Sequence, residues 1–192
     1  MLVPILVMFL ILLFAGIPIF VAMALPSLIG IGIKGIPLTF VVQNMFSGID
    51  KFTLMAIPFF ILGANIMGRG GIAERIVRFV EIIAGRIYGG IPIVTVLSSM
   101  FFGALSGSAN ATVAAIGKIT YPMLISNKYS KQFATGLIAS SAVLSTIIPP
   151  SINMILFASV TGVSVGELFL AGVGPGMVIG IICVVYCFIY SK

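Results

Sequence analysis

Charge is missing from this sequence over stretches as long as a lipid bilayer is thick. Uncharged runs extend from Phe52 to Gly68, Ile87 to Gly117, Gln132 to Gly166 and Leu168 to Ser191. Each is near or above the ~20 residues that carry a helix across ~30 Å of hydrocarbon. Only 7% of residues are charged and 60% are apolar, whereas about a quarter of a soluble domain is charged. Mean hydropathy is +1.31. These features predict an all-α membrane protein with several spans and the lipid bilayer as its partner. The first 33 residues also carry no charge, whereas a cleaved signal peptide opens on a basic segment, so residues 1–33 are expected to stay in the fold. The net charge is +6, but the basic residues are sparse, lie between apolar spans and form no stripe, which excludes a nucleic-acid partner. Cys183 and Cys187 lie in an apolar stretch with no His to complete a metal site, and are read as packing residues.

Basic residues concentrate in cytoplasmic loops, so they order the segments by side. One cluster is Arg69, Arg75, Arg78 and Arg86; the other is Lys128 with Lys131. If both face the cytoplasm, an even number of crossings separates them. The stretch between is interrupted at Gly103-Ala104-Leu105-Ser106-Gly107-Ser108-Ala109-Asn110, and two full spans with a loop barely fit. Residues 88–127 are therefore expected to form a re-entrant hairpin whose tip stops inside the membrane, where irregular backbone must line a protein cavity. Residues 132–160 then cross outward, and 168–190 return to the basic end at Lys192.

Residues 1–71 are expected to be scaffold transmembrane helices, with 1–33 left open. About 50 Å of continuous helix is long for one untilted crossing and short for two. Gly16-Ile17-Pro18 and Pro26 are expected to kink it, and Gly174-Pro175-Gly176 to kink the last span of 128–192. In 72–87, Ile72, Ile76, Phe79, Val80, Ile83 and Ile87 share one helical face opposite Glu74, Arg78 and Glu81, the pattern of an interfacial amphipathic helix.

Two interruptions carry the chemistry. At the hairpin tip, the free N–H groups of a half-helix N-terminus, with Ser108 or Asn110 as cap, suit a carboxylate, so Ser108, Ala109, Asn110 and Thr112 are candidate substrate residues. The preceding carbonyls, around Ser106 and Gly107, suit a sodium ion. The second interruption is Ser145-Thr146-Ile147-Ile148-Pro149-Pro150-Ser151-Ile152-Asn153. Two consecutive prolines remove two donors, so the carbonyls of Ser145 and Thr146 are candidate cation ligands. Pro150 can start the second half-helix, placing Ser151 and Asn153 in its first turn, where an anion is favoured. A hairpin and a discontinuous helix at matching depth are the recurring construction of secondary-transporter sites. Lys118 is expected to snorkel toward the cytoplasm.

The stretches FSGIDKFTLMAIPFFILGANIMGRGGIAERIV (46–77), FFGALSGSANATVAAIG (101–117), IIPPSINMILFA (147–158) and GVSVGELFLAGVGPG (162–176) resemble the large, DctM-like membrane subunit of tripartite ATP-independent periplasmic (TRAP) transporters. The resemblance implies an elevator-type fold of two inverted repeats, of which this chain holds the first, in a multi-pass protein of the bacterial inner membrane. It implies Na+ as coupling ion, no covalently bound cofactor, and an organic acid anion such as a four-carbon dicarboxylate or sialic acid as substrate. A small membrane subunit and a periplasmic solute-binding protein are the implied partners. Carried over by position, Ser106, Gly107, Ser108 and Asn110 with Ser145, Pro149, Pro150 and Asn153 would form the first sodium site and part of the substrate pocket. Competing readings are an ion-coupled anion symporter without a binding protein and a non-transporting membrane module. An intramembrane enzyme is disfavoured, since no His exists and no Asp or Glu lies inside a span.

Overall fold

A computed structural model describes residues 2–192, whose regular structure is helical, with no strand among the described residues. The chain divides into two compact units, one ending at Lys51 and the other spanning Phe52–Lys192. The division falls inside the stretch read as scaffold.

The first unit contains α1 (Leu2–Phe14), α2 (Ile19–Ile33) and α3 (Leu38–Ile49). The Gly16-Ile17-Pro18 stretch ends α1 rather than kinking a longer helix. Gly16 adopts φ +75°, and the N–H of Ile17 reaches back to the Leu12 carbonyl at 3.2 Å while that of Gly16 reaches Leu13 at 3.1 Å. Pro18 then precedes the next helix. This is the glycine C-cap that satisfies orphan carbonyls, followed by a proline that cannot continue the old helix. The same Gly-Ile-Pro signature recurs at Gly35-Ile36-Pro37, with Gly35 at φ +67° and Ile36 N–H bonded to Ile31 O at 3.2 Å. Pro26, by contrast, sits within α2. Residues 2–33 thus hold two helices of about 20 Å each, packed so closely that a Cβ on Gly30 would lie 2.6 Å from Ile5 Cδ1.

The second unit is built around α6 (Gly90–Ser106), which is buried on nearly every side by residues such as Ile93, Val94, Val96 and Phe102. Around it pack α5 (Ile72–Ala84), α9 (Lys131–Val143) and α11 (Val165–Tyr190). A second rod, α7 (Ala109–Thr112), a π-helical turn at Val113–Gly117 and α8 (Lys118–Ser126), also lies against α6. Helix α4 (Phe52–Arg69) packs on α10 (Ile152–Thr161) and α5. Inside lipid there is no hydrophobic force between helices, so close approach of small residues does the work. Along α11 that role falls to Gly172, Gly176 and Gly180, where a Cβ would meet Met154 and Ile147, Ile148, and Met100. The outward surfaces are bulky and apolar, with Phe59 67% and Leu170 78% exposed. Both α4 and α11 are long and apolar enough to cross a membrane, and α11 runs unbroken through Pro175.

Helix α5 buries a stripe different from the one its apolar residues suggest. Ala73, Val77, Val80 and Ala84 are buried, while Phe79, Ile82 and Ile83 are exposed and Ile87 lies beyond the helix end. The small residues face the protein because they allow contact with α6. Of the large ones on the expected apolar face, Val80 is buried, Ile72 and Ile76 are half-buried with Ile76 against the core, and Phe79 and Ile83 are left outward.

Three chain ends meet at one pole of this unit. Tyr129, just before α9, donates a 2.9 Å hydrogen bond from its hydroxyl to Ser191 Oγ at the end of α11. Phe133 stacks on Tyr190 with ring centroids 4.1 Å apart. A Cβ on Gly89, just before α6, would come within 2.8 Å of the Cys187 carbonyl. Arg86, Lys128, Lys131 and Lys192 flank these contacts in sequence, giving the mixture of tyrosine and basic residues that favours a membrane interface. The chain therefore leaves this basic pole along α6 and comes back to it along α8.

Candidate functional site

The first interruption is narrower than its composition suggests. Helix α6 continues through Gly103 to Ser106, and only Gly107 and Ser108 are non-helical. Gly103 is kept for a different reason: a Cβ there would overlap Ser145 Cβ and lie 2.8 Å from Ser145 Cα. Gly107 takes φ +61°, which glycine adopts without the cost a Cβ brings, and its N–H bonds Gly103 O at 2.7 Å.

The hydroxyls of the tip bond one another and the local backbone. Ser108 is the N-cap of α7, its Oγ accepting from Ala111 N–H at 3.4 Å. Ser106 Oγ accepts from Ser108 N–H at 3.4 Å and lies 3.3 Å from Thr112 Oγ1, which itself donates to Ser108 O at 2.9 Å. Ser106 and Thr112 are 0% exposed. They brace the tip from within.

The second interruption begins where α9 tightens into a 3-10 turn at Leu144–Thr146. The Pro149-Pro150 peptide is cis. Helix α10 starts at Ile152, not at Pro150, with Ser151 in extended conformation ahead of it. Instead of capping α10, Ser151 Oγ donates backward to Thr146 O at 2.7 Å. One of the two carbonyls expected to lose its partner has thereby gained one, and Ser151, at 0% exposure, closes the turn from inside. Ser145 and Thr146 hydroxyls donate to Ala142 O at 2.6 Å and Val143 O at 2.8 Å.

A main-chain bond joins the two interruptions. Ile152 N–H, the first of α10, donates to Gly107 O at 3.2 Å, and a Cβ on Gly107 would lie 2.9 Å from Pro150 O. Around this joint lies a cup of about 240 Å³ lined by Gly107, Ser108, Ala109, Asn110, Thr146, Ile152 and Asn153. The structure thus brings Gly107, Ser108, Ala109, Asn110, Thr146 and Asn153 together. Ser106, Thr112, Ser145, Ser151, Pro149 and Pro150 stand behind them and do not line the cup. Asn110 and Asn153 are exposed, and neither amide has an internal partner among the described residues. An amide both donates and accepts, so it can serve either sign of charge. Ile152 was absent from the sequence expectations. Its place directly after Pro-Pro-Ser is the signal that could have marked it, since the first N–H of a helix has no partner in its own helix.

An all-helical chain with membrane-length apolar helices, an interrupted rod and a discontinuous helix meeting at a polar cup is built as a membrane permease is built. Residues 6–192 match the DctM component of the tripartite ATP-independent periplasmic transporters, and the chain belongs to that family. It is 41% identical, over 92% of its length, to the large permease of the C4-dicarboxylate TRAP transporter of Vibrio cholerae. It is 40% identical over 94% to that of the ectoine TRAP transporter of Halomonas elongata, and 38% identical over 94% to that of the sialic acid TRAP transporter of Vibrio cholerae. The chain spans 40%, 43% and 43% of the length of these relatives.

Proposed function

We propose that this chain is the N-terminal half of the large permease of a sodium-coupled TRAP transporter, a multi-pass inner-membrane protein that transports rather than catalyses. It supplies the first sodium site and one wall of an organic-anion pocket. The observation that carries the reading is the Ile152–Gly107 joint, which holds tip and break around a cup with two unpartnered amides. The α6–α8 pair, leaving and rejoining one basic pole, supports a re-entrant hairpin. At 17 residues, α6 is about 25 Å long, short of a ~30 Å hydrocarbon core. The named substrates of the relatives, C4-dicarboxylates, ectoine and sialic acid, all carry a carboxylate, which supports an organic acid as cargo here.

In this reading the oxygens of the cup would hold sodium, whose charge would favour the joined arrangement of tip and break. The anion then binds to the assembled surface, and the hairpin unit moves across the membrane as an elevator against its scaffold. Sodium shifts that equilibrium only by its differential affinity for the closed joint. The test is sodium-gradient-driven uptake of labelled organic acids by proteoliposomes holding the full-length permease, its small membrane subunit and its binding protein. Uptake is expected to need all three and sodium, and Ser108→Ala and Asn110→Ala are expected to weaken its sodium dependence without loss of membrane insertion. Uptake without the binding protein would favour a simple symporter, and unchanged sodium dependence in both variants would remove the tip from the site.

A further inference from the structure

A larger open cavity, of about 380 Å³, lies on the other side of the tip, bordered by α4, α5 and the α6–α8 pair. Its size falls in the range of small-molecule sites. Three charged side chains line it: Arg69 at the end of α4, Glu74 in the first turn of α5 and Lys118 at the start of α8. None of the three takes part in an ion pair or hydrogen bond among the described residues. Lys118 opens α8, whose 9 residues put it about 12 Å of helix from the end of the rod nearest the basic pole. All three side chains are exposed, and an excess of one sign of charge in a cleft raises the local concentration of ions of the opposite sign. Counting Arg69 and Lys118 against Glu74 leaves the cavity with one net positive charge.

Two residues, Ser108 and Ile152, line both this cavity and the polar cup. The partition between the two compartments is therefore a single layer of side chains at the joint. The wall facing α4 is small, with Ala111, Ala114 and Ala115 in place of bulky residues, and this keeps the compartment open up to Lys118. We propose that this cavity is an anion vestibule: Arg69 and Lys118 draw an organic anion into a water-filled compartment beside the tip, and Ile152 with Ser108 forms the partition through which it exchanges with the cup. Glu74 limits the attraction, so that the anion is concentrated there without being trapped. The identity of the traveller rests on the transport reading; the field of the cavity does not.

The field is measured by thiol chemistry on the full-length permease in membrane vesicles, with no transport required. Ala115→Cys places a thiol on the wall, and its reaction rate with an anionic sulfonatoethyl methanethiosulfonate is compared with that of the cationic trimethylammonioethyl reagent. The parent chain, with its own Cys183 and Cys187, supplies the background. The anionic reagent is expected to react about tenfold faster. The further replacement R69Q/K118Q leaves Glu74 as the one charge of the three, and is expected to reverse the order. A preference that the charge changes do not alter would overturn the proposal, as would a thiol that neither reagent reaches. Ala114→Cys, on the same wall, gives the same readout should Ala115→Cys fail to reach the membrane. A reversal seen in a permease that shows no sodium-driven uptake would count against the transport reading alone.

Discussion

The tip and the break look alike in composition, since each is a handful of Ser, Thr and Asn beside a backbone-breaking residue, yet their serines do opposite things. At the tip, Ser106 and Ser108 accept from main-chain N–H groups. At the break, Ser145, Thr146 and Ser151 all donate to main-chain carbonyls. A helix start has surplus donors and a helix end has surplus acceptors, and each cluster supplies the local shortage. The consequence for ion binding is direct. Of the groups expected to meet ions, the N–H groups of Ser108 and Ala111 and the Thr146 carbonyl are already engaged by the protein's own hydroxyls. The side chains of Asn110 and Asn153 are free polar groups of the cup.

The contrast can be broken most severely at the contact both regions share. Gly103→Val would drive a branched side chain into the Ser145 backbone, where even a Cβ comes within 2.8 Å of Cα. Overpacking of this kind costs about 1–3 kcal/mol or more, and with backbone as the obstacle the full-length permease is expected to lose its monodisperse peak in detergent size-exclusion chromatography. Recovery of a normal peak and normal uptake would mean that tip and break tolerate separation. A middle-sized effect is expected from single hydroxyls. Ser151→Ala removes the donor to Thr146 O and Thr112→Val removes the donor to Ser108 O, each costing about 1 kcal/mol. The two should part on sodium: Ser151→Ala frees a carbonyl that lines the cup and is expected to retain sodium-dependent thermal stabilisation, whereas Thr112→Val loosens the tip and is expected to reduce it. Equal responses would erase the distinction. The smallest effect on stability, within about 0.5 kcal/mol, is expected for Asn153→Ala, whose side chain is exposed and unpartnered. Its sodium response should nevertheless fall, and a large drop in melting temperature instead would reveal a bracing role.

What was legible in the sequence is what acts locally. The run of small polar residues at 103–110 marks an interruption because it breaks the apolar stretch, and Pro149-Pro150 marks another because two donors vanish together. Both positions, and the family, follow from residues read in place. The direction of a side chain is set by its neighbours in space. Nothing in Pro-Pro-Ser tells Ser151 to reach back to Thr146 rather than cap α10, or tells the helix to wait until Ile152. For the same reason Gly16-Ile17-Pro18 was taken for a kink, since whether a glycine-proline step bends a helix or ends it depends on what the next helix packs against. Which residues of α5 pack on α6 likewise depends on the neighbouring helix: Ala73, Val77, Val80 and Ala84 are buried while Phe79 and Ile83 stay exposed. Arg69, Glu74 and Lys118 come from three different helices, and their convergence exists only after folding.

The glycine seam of α11 has a chemical side as well as a geometric one. Two of its three notches are filled by thioethers, Met154 against Gly172 and Met100 against Gly180. Methionine suits such gaps because its unbranched, polarisable chain adapts to irregular space. The same sulfur atoms are open to oxidation, and one added oxygen turns a pliant apolar plug into a rigid polar wedge facing a backbone that has no side chain to move aside. The seam that joins α11 to the break is thus durable mechanically and vulnerable chemically, and its working life is set by the oxidants that reach the membrane around it.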